Sequence, residues 1–129
     1  MLVVYTDGSK EPKGHPRTGA GVVFYEGGIP IEIAGQKLIH SYKLMGGNSV
    51  FQTEVWAIKK ATMILLENIE NDPPLGECWI RAGREVTFYT DSQSTLKALN
   101  AVVVSSKLVK ETIDLLNKLA MKLKALTIK

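Results

Sequence analysis

The chain opens on Leu2-Val3-Val4-Tyr5-Thr6, a short run of apolar, β-branched and aromatic residues that predicts a strand. Asp7-Gly8-Ser9-Lys10 then has the composition of a turn. Residues 11–18 hold two prolines, a glycine and several charges and predict a loop, and A-G-V-V-F-Y-E at 20–26 predicts a second strand. Gly27-Gly28 suits a hairpin turn. Residues 29–44 alternate loosely between apolar and polar and predict a third strand, before Gly46-Gly47-Asn48-Ser49 interrupts the pattern. The apolar spacing then changes to that of a helix. Phe51, Val55, Ile58, Thr62 and Leu65 fall on one stripe of a helix over 50–69, with Asn48 or Ser49 as its N-cap.

Residues 71–84 contain Pro73-Pro74 and further breakers. A loop of that length inside a compact domain reads as an insertion, with Trp79 a local anchor in preference to a base-stacking platform. Residues 85–90 (E-V-T-F-Y-T) predict a strand ending at Asp91, and a helix over 92–100 follows with Ser92 as its cap. Residues 105–123 predict an amphipathic helix, with Leu108, Thr112, Leu116, Leu119 and Leu123 on one face and lysines on much of the other. Leu126-Thr127-Ile128 begins a last strand. The order is βββαβααβ. With no internal repeat, low-complexity tract or linker, residues 1–129 read as one domain.

Composition narrows the class. A chain of 129 residues, 45% hydrophobic, can bury a core of its own. No apolar run approaches the roughly 20 residues that cross a bilayer, and residues 1–5 lack the regions of a signal peptide, so no membrane partner is expected. Cys78 is the only cysteine, which leaves neither an internal disulfide nor a cysteine metal site and fits an intracellular, reducing compartment. The net charge of +3 is unevenly spread. Residues 92–129 carry seven lysines against Glu111 and Asp114, a net of +5, which leaves −2 on residues 1–91. The basic part suits a phosphate backbone, and it equally suits a solvated helix face.

Two strands end alike, in Tyr5-Thr6-Asp7-Gly8-Ser9 and in Tyr89-Thr90-Asp91-Ser92. Ligand sites of α/β sheets lie beyond the carboxyl ends of strands, so parallel neighbours would bring Asp7 and Asp91 to one edge. Each aspartate alone is also an ordinary turn or cap residue; the pair is the stronger signal. Glu54, near the start of the long helix, joins them if that helix crosses the sheet; otherwise it is a solvated glutamate at a helix N-terminus. Three gathered carboxylates repel unless a cation sits among them. An all-oxygen set without histidine or cysteine suits magnesium or manganese better than zinc. Paired ions of that kind, about 3.5–4 Å apart, serve phosphoryl transfer.

Four motifs now stand in order: Y-T-D-G-S at 5–9, G-A-G-V-V at 19–23, S-V-F-Q-T-E-V-W-A-I at 49–58 and Y-T-D-S-Q-S-T-L-K-A-L at 89–99. In order and spacing they resemble the ribonuclease H family, and their wording is most similar to the ribonuclease H domains of non-LTR retrotransposons. The resemblance spans nearly the whole chain. It implies an α/β, ribonuclease H-like five-stranded mixed sheet in the order 3-2-1-4-5, flanked by helices. It implies an enzyme that hydrolyses the RNA strand of RNA–DNA hybrids, with Asp7, Glu54 and Asp91 as catalytic metal ligands for two Mg2+ ions, or Mn2+ in their place. Gly8, Ser9, Lys10, Asn48, Ser49, Gln52 and Ser92 are the matching candidates for nucleic-acid contact; Ser49 is equally suited to capping its helix. A reverse transcriptase polyprotein is the implied partner.

The chain departs from the family pattern twice. It stops at Lys129, before the histidine loop and the final helix with its fourth acidic ligand, and His15 and His40 stand in the wrong places to replace that histidine. Val50 and Phe51 occupy positions where cellular members carry polar side chains that read 2′-hydroxyls, which weakens the expectation of strict hybrid selectivity. A weakly active or inactive nucleic-acid-binding module is therefore the alternative. Resolvases and integrases, which share the sheet but act on DNA, are a third reading, since fold alone does not choose chemistry. An uncovered apolar patch where the final helix would lie favours self-association.

Overall fold

In the computed structural model, residues 2–10, 18–33, 36–37, 39–44, 50–70, 84–100 and 106–129 are described, with the backbone alone at 7–10, 18–20, 32–33, 36–37, 39–44, 50, 51 and 70. The strands are β1 (Leu2–Lys10), β2 (Thr18–Glu26), β3 (Ile29–Pro30), β4 (Glu32–Ile33), β5 (Gln36–Lys37), β6 (Ile39–Leu44), β7 (Glu85–Tyr89) and β8 (Ala125–Ile128). The helices are α1 (Val50–Glu70), α2 (Gln93–Leu99) and α3 (Lys107–Lys122).

β3 and β6 both pair with β2, at its two ends, so they share one position at the sheet edge. From that edge the order runs through β2, β1, β7 and β8, which is the expected 3-2-1-4-5 with its third strand broken. β1 is antiparallel to β2 and parallel to β7, and β7 is parallel to β8, which makes the sheet mixed. Gly27 and Gly28 turn β2 into β3 with φ of 60° and 81°, the left-handed conformations that a two-residue hairpin needs and glycine adopts freely.

Alternation along the strands sends one face into the core. Leu2, Val4, Val22, Phe24, Val86 and Phe88 are essentially inaccessible, and α1 covers them with Ala57, Ile58, Ala61 and Leu65. α3 adds Leu116 and Leu119 behind α1. Thr62 and Thr112 interrupt the apolar stripes of the two helices without leaving a polar orphan, because each hydroxyl donates to the carbonyl one turn back, on Ile58 and Leu108. Lys59 and Glu111 join α1 to α3 at 2.8 Å, and Arg84 pairs with Glu26 beside β7.

Three expectations need correction. The turn predicted at 7–10 is strand: Asp7, Gly8, Ser9 and Lys10 pair with Gly21, Ala20, Gly19 and Thr18. Pairing with β2 outweighs the local turn preference of Asp and Gly. The third strand does not run unbroken over 29–44. Pro30 brings no N–H, and Ile31 turns inward, donating its own N–H to Phe24 O at 3.0 Å; β4 and β5 then form a separate hairpin. The last helix begins at Lys107 in place of 105, capped by Ser106, whose Oγ accepts from the Val109 N–H. The caps expected at Asn48 and Ser49, the loop 11–17, and residues 71–83 with Cys78 and Trp79 lie outside the described residues. Among the described residues no helix is long and apolar enough to cross a membrane.

Candidate active site

The repeated tripeptide Tyr-Thr-Asp is brought into register by the sheet. Tyr5 of β1 is the Cα partner of Tyr89 of β7, so the tripeptides at 5–7 and 89–91 run side by side in the same direction. The tyrosines face away from the helices. Their rings stack at 5.3 Å with 19° between planes, and Tyr25 meets Tyr5 edge-on at 5.4 Å.

The threonines, one residue on, turn the other way. Thr6 is 5% exposed and its hydroxyl donates to the Tyr89 carbonyl at 3.4 Å, across the two strands. The Thr90 hydroxyl donates to Glu54 Oε2 at 2.9 Å and accepts the Ser92 N–H at 3.2 Å. The Thr90 N–H donates to the Lys129 carbonyl at 2.9 Å, so the end of β8 also holds this residue. Glu54 is 3% exposed, between the buried Thr53 and Val55 of α1. A carboxylate so far from water stays charged only with hydrogen bonds or a cation around it.

Asp91 is exposed in the turn that carries β7 into α2. That turn is closed from both sides. Thr90 holds the Ser92 N–H, while Ser92 Oγ accepts from the Thr95 N–H at 3.2 Å and the Thr95 hydroxyl at 2.9 Å, capping α2. Asp7 lies two residues past the last β1–β7 pair on its strand, and Asp91 two residues past it on the other, which places both backbones at the same edge.

The backbones of Gly8, Ser9 and Lys10 follow Asp7 along the β1–β2 ladder. Gln52 is exposed in the first turn of α1. Ser92 is half-buried and commits its hydroxyl to the cap. Val50 and Phe51 open α1, and His40 pairs with Val22 on β6. Asn48, Ser49 and His15 lie outside the described residues. The sequence reading passed over Thr6 and Thr90. Their signal was parity: each stands two residues after a core residue, Val4 or Phe88, and so on the helix-facing side of the sheet.

Among the described residues no group of three histidine, cysteine, aspartate or glutamate side chains gathers for an ion; the Asp7 side chain is outside them. The donors that α1, β1 and β7 bring to this edge are carboxylates, with Glu54 almost wholly removed from water. That donor chemistry fits a hard divalent cation such as magnesium or manganese.

No protein-family model matches the chain, and no curated protein does. Solved structures do. The chain superposes on a compost-derived ribonuclease H1, LC11, solved in complex with an RNA/DNA hybrid, with a TM-score of 0.64 at 20% identity, covering 100% of this chain and 83% of that one. Ribonuclease H1 of Halobacterium salinarum gives 0.62 at 16%, covering 99% and 83%. The foamy viral protease–reverse transcriptase, solved with double-stranded DNA, gives 0.59 at 21%, covering 98% and 79%. At these identities the likeness is one of fold, and the fold is ribonuclease H-like.

Proposed function

We propose that this domain is a metal-dependent endonuclease that hydrolyses the RNA strand of RNA–DNA hybrids, as part of a reverse-transcribing element inside the cell. The observation that carries the reading is the buried Glu54, tied through Thr90 to the turn that bears Asp91, at the sheet edge where Asp7 also emerges. The four ordered motifs support it, as does the likeness to a ribonuclease H1 solved with an RNA/DNA hybrid.

In this reading Asp7, Glu54 and Asp91 hold magnesium, and manganese substitutes for it. The chemistry such ions supply, when bound, is activation of water and stabilisation of the leaving oxygen in phosphoryl transfer. The chain's own residues do the positioning. Glu54 presents a carboxylate from a helix locked into the core, and Asp91 presents one from a turn fixed at both ends. Gly8, Ser9, Lys10, Asn48, Ser49, Gln52 and Ser92 are the candidates for phosphate and sugar contact. The exposed lysines of α3, Lys107, Lys110 and Lys118, add positive charge to the surface that meets a duplex.

The test is a strand-labelled hybrid incubated with magnesium and then manganese, with Asp7→Asn and Asp91→Asn in parallel. RNA-strand cuts that both substitutions reduce by on the order of a hundredfold or more support the reading. An uncut hybrid that is still bound, with binding falling as salt rises, assigns the chain to a nucleic-acid-binding module instead. Cleavage of DNA junctions with hybrids untouched assigns it to resolvase-like chemistry.

A further inference from the structure

We infer that Thr90 is a positioning residue whose hydroxyl couples Glu54 on α1 to the Asp91 turn at the end of β7, and so sets the two carboxylates as one unit for a divalent cation. This rests on the reading of Glu54 and Asp91 as cation ligands.

A threonine hydroxyl has one hydrogen to donate and two lone pairs. In Thr90 the hydrogen goes to Glu54 Oε2 at 2.9 Å, and one lone pair takes the Ser92 N–H at 3.2 Å. The main chain of the same residue is tied to Lys129. Branching at Cβ leaves few rotamers to such a side chain, so the hydroxyl is held from both ends and from behind. The Ser92 contact closes the backbone around Asp91, the residue between donor and acceptor. The Thr90 oxygen therefore adds a hydrogen-bonded link between α1 and the turn after β7, placed between the two candidate ligands. The twin position separates this role from simple burial of a threonine. Thr6, like Thr90 one residue past the last β1–β7 pair, is the more deeply buried of the two, yet its hydroxyl ends on the main-chain carbonyl of Tyr89.

The experiment measures Mn2+ binding to the metal-free protein by calorimetry, and cleavage of a labelled hybrid, for wild type, Thr90→Val, Thr90→Ser, Glu54→Gln and the double substitution Thr90→Val with Glu54→Gln. Circular dichroism and thermal melting check the fold; Thr90→Ala replaces Thr90→Val if the larger side chain disturbs it. Thr90→Val is expected to weaken Mn2+ binding by about ten- to a hundredfold, the usual effect of losing a group that orients a ligand. Thr90→Ser, which keeps the hydroxyl, is expected to bind as wild type does. In the Glu54→Gln background Thr90→Val should cost nothing further, because the carboxylate that Thr90 positions is already gone.

Unchanged Mn2+ binding in Thr90→Val overturns the inference. So does an equal loss in Thr90→Ser, or the same loss with and without Glu54. A wild-type protein that binds no Mn2+ overturns it too. If wild type and Thr90→Val cut the hybrid equally fast, the inference falls and the nuclease reading stands. If wild type binds Mn2+ and leaves the hybrid uncut, the nuclease reading falls and the binding series alone decides the role of Thr90.

Discussion

Phe88 shows how much rests on a single side chain. Its ring is fully buried beneath α1, its carbonyl accepts the Lys129 N–H, and the residue two positions on is Thr90. Phe88→Ala leaves a large cavity in the middle of the sheet and is expected to cost about 3–5 kcal/mol, read as a lower urea midpoint. Its neighbour Tyr89 is 36% exposed and stacked on Tyr5, so alternation alone separates a core ring from a surface one. The residue types of the candidate site were legible: Asp7, Glu54 and Asp91 stood out in the sequence by their place in the motifs. The role of Thr90 was not. A threonine before an aspartate is common in turns and caps, and nothing local says that its hydroxyl will meet a helix 36 residues back.

Between elements, caps and ion pairs fix how helices meet the sheet. Ser92 closes the first turn of α2 with two hydrogen bonds, from the N–H and the hydroxyl of Thr95. Ser92→Ala is expected to destabilise the fold by about 1 kcal/mol, and Ser92→Asp, another good cap, to recover most of that in urea unfolding. α1 and α3 are joined by Lys59 and Glu111, with Lys107 a turn before Glu111 at 3.8 Å. The hydrogen bond and charge of Lys59, helped by Lys107, lower the Glu111 carboxyl below its ordinary value of 4.5. A carboxyl lowered on folding stabilises above its unfolded value and loses that contribution as pH falls through its folded one. Wild type should therefore melt above Glu111→Gln at pH 7, and the gap should close as pH drops below about 4.5. A gap that persists in acid strong enough to protonate Glu111 in the folded protein would mean that packing, and not charge, joins these helices. The elements were largely legible, since helical and alternating periodicities are local. Their ends were not: β1 runs four residues past its predicted stop because β2 lies beside it.

For the whole molecule, a cation held by the fold and not by the unfolded chain must stabilise the fold. Magnesium at about 100 times its dissociation constant is expected to add about 2.7 kcal/mol, seen as a higher melting temperature that a chelator reverses. Glu54→Gln should shrink that rise, and an equal rise in the variant would place the cation elsewhere. The sequence by itself determined the residue types, the number and order of the main elements, one core face per element and, through the motifs, the strand order 3-2-1-4-5. The first three follow from periodicity and composition, which each segment carries within itself; the strand order is what the resemblance of the motifs to the ribonuclease H family implies. Only the tertiary structure decided that Asp7-Gly8-Ser9-Lys10 is strand, that Pro30 and Ile31 break the third strand, and that one threonine oxygen joins Glu54 to the Asp91 turn. Each depends on a partner distant in sequence, whose hydrogen-bonding groups must be met once water is excluded.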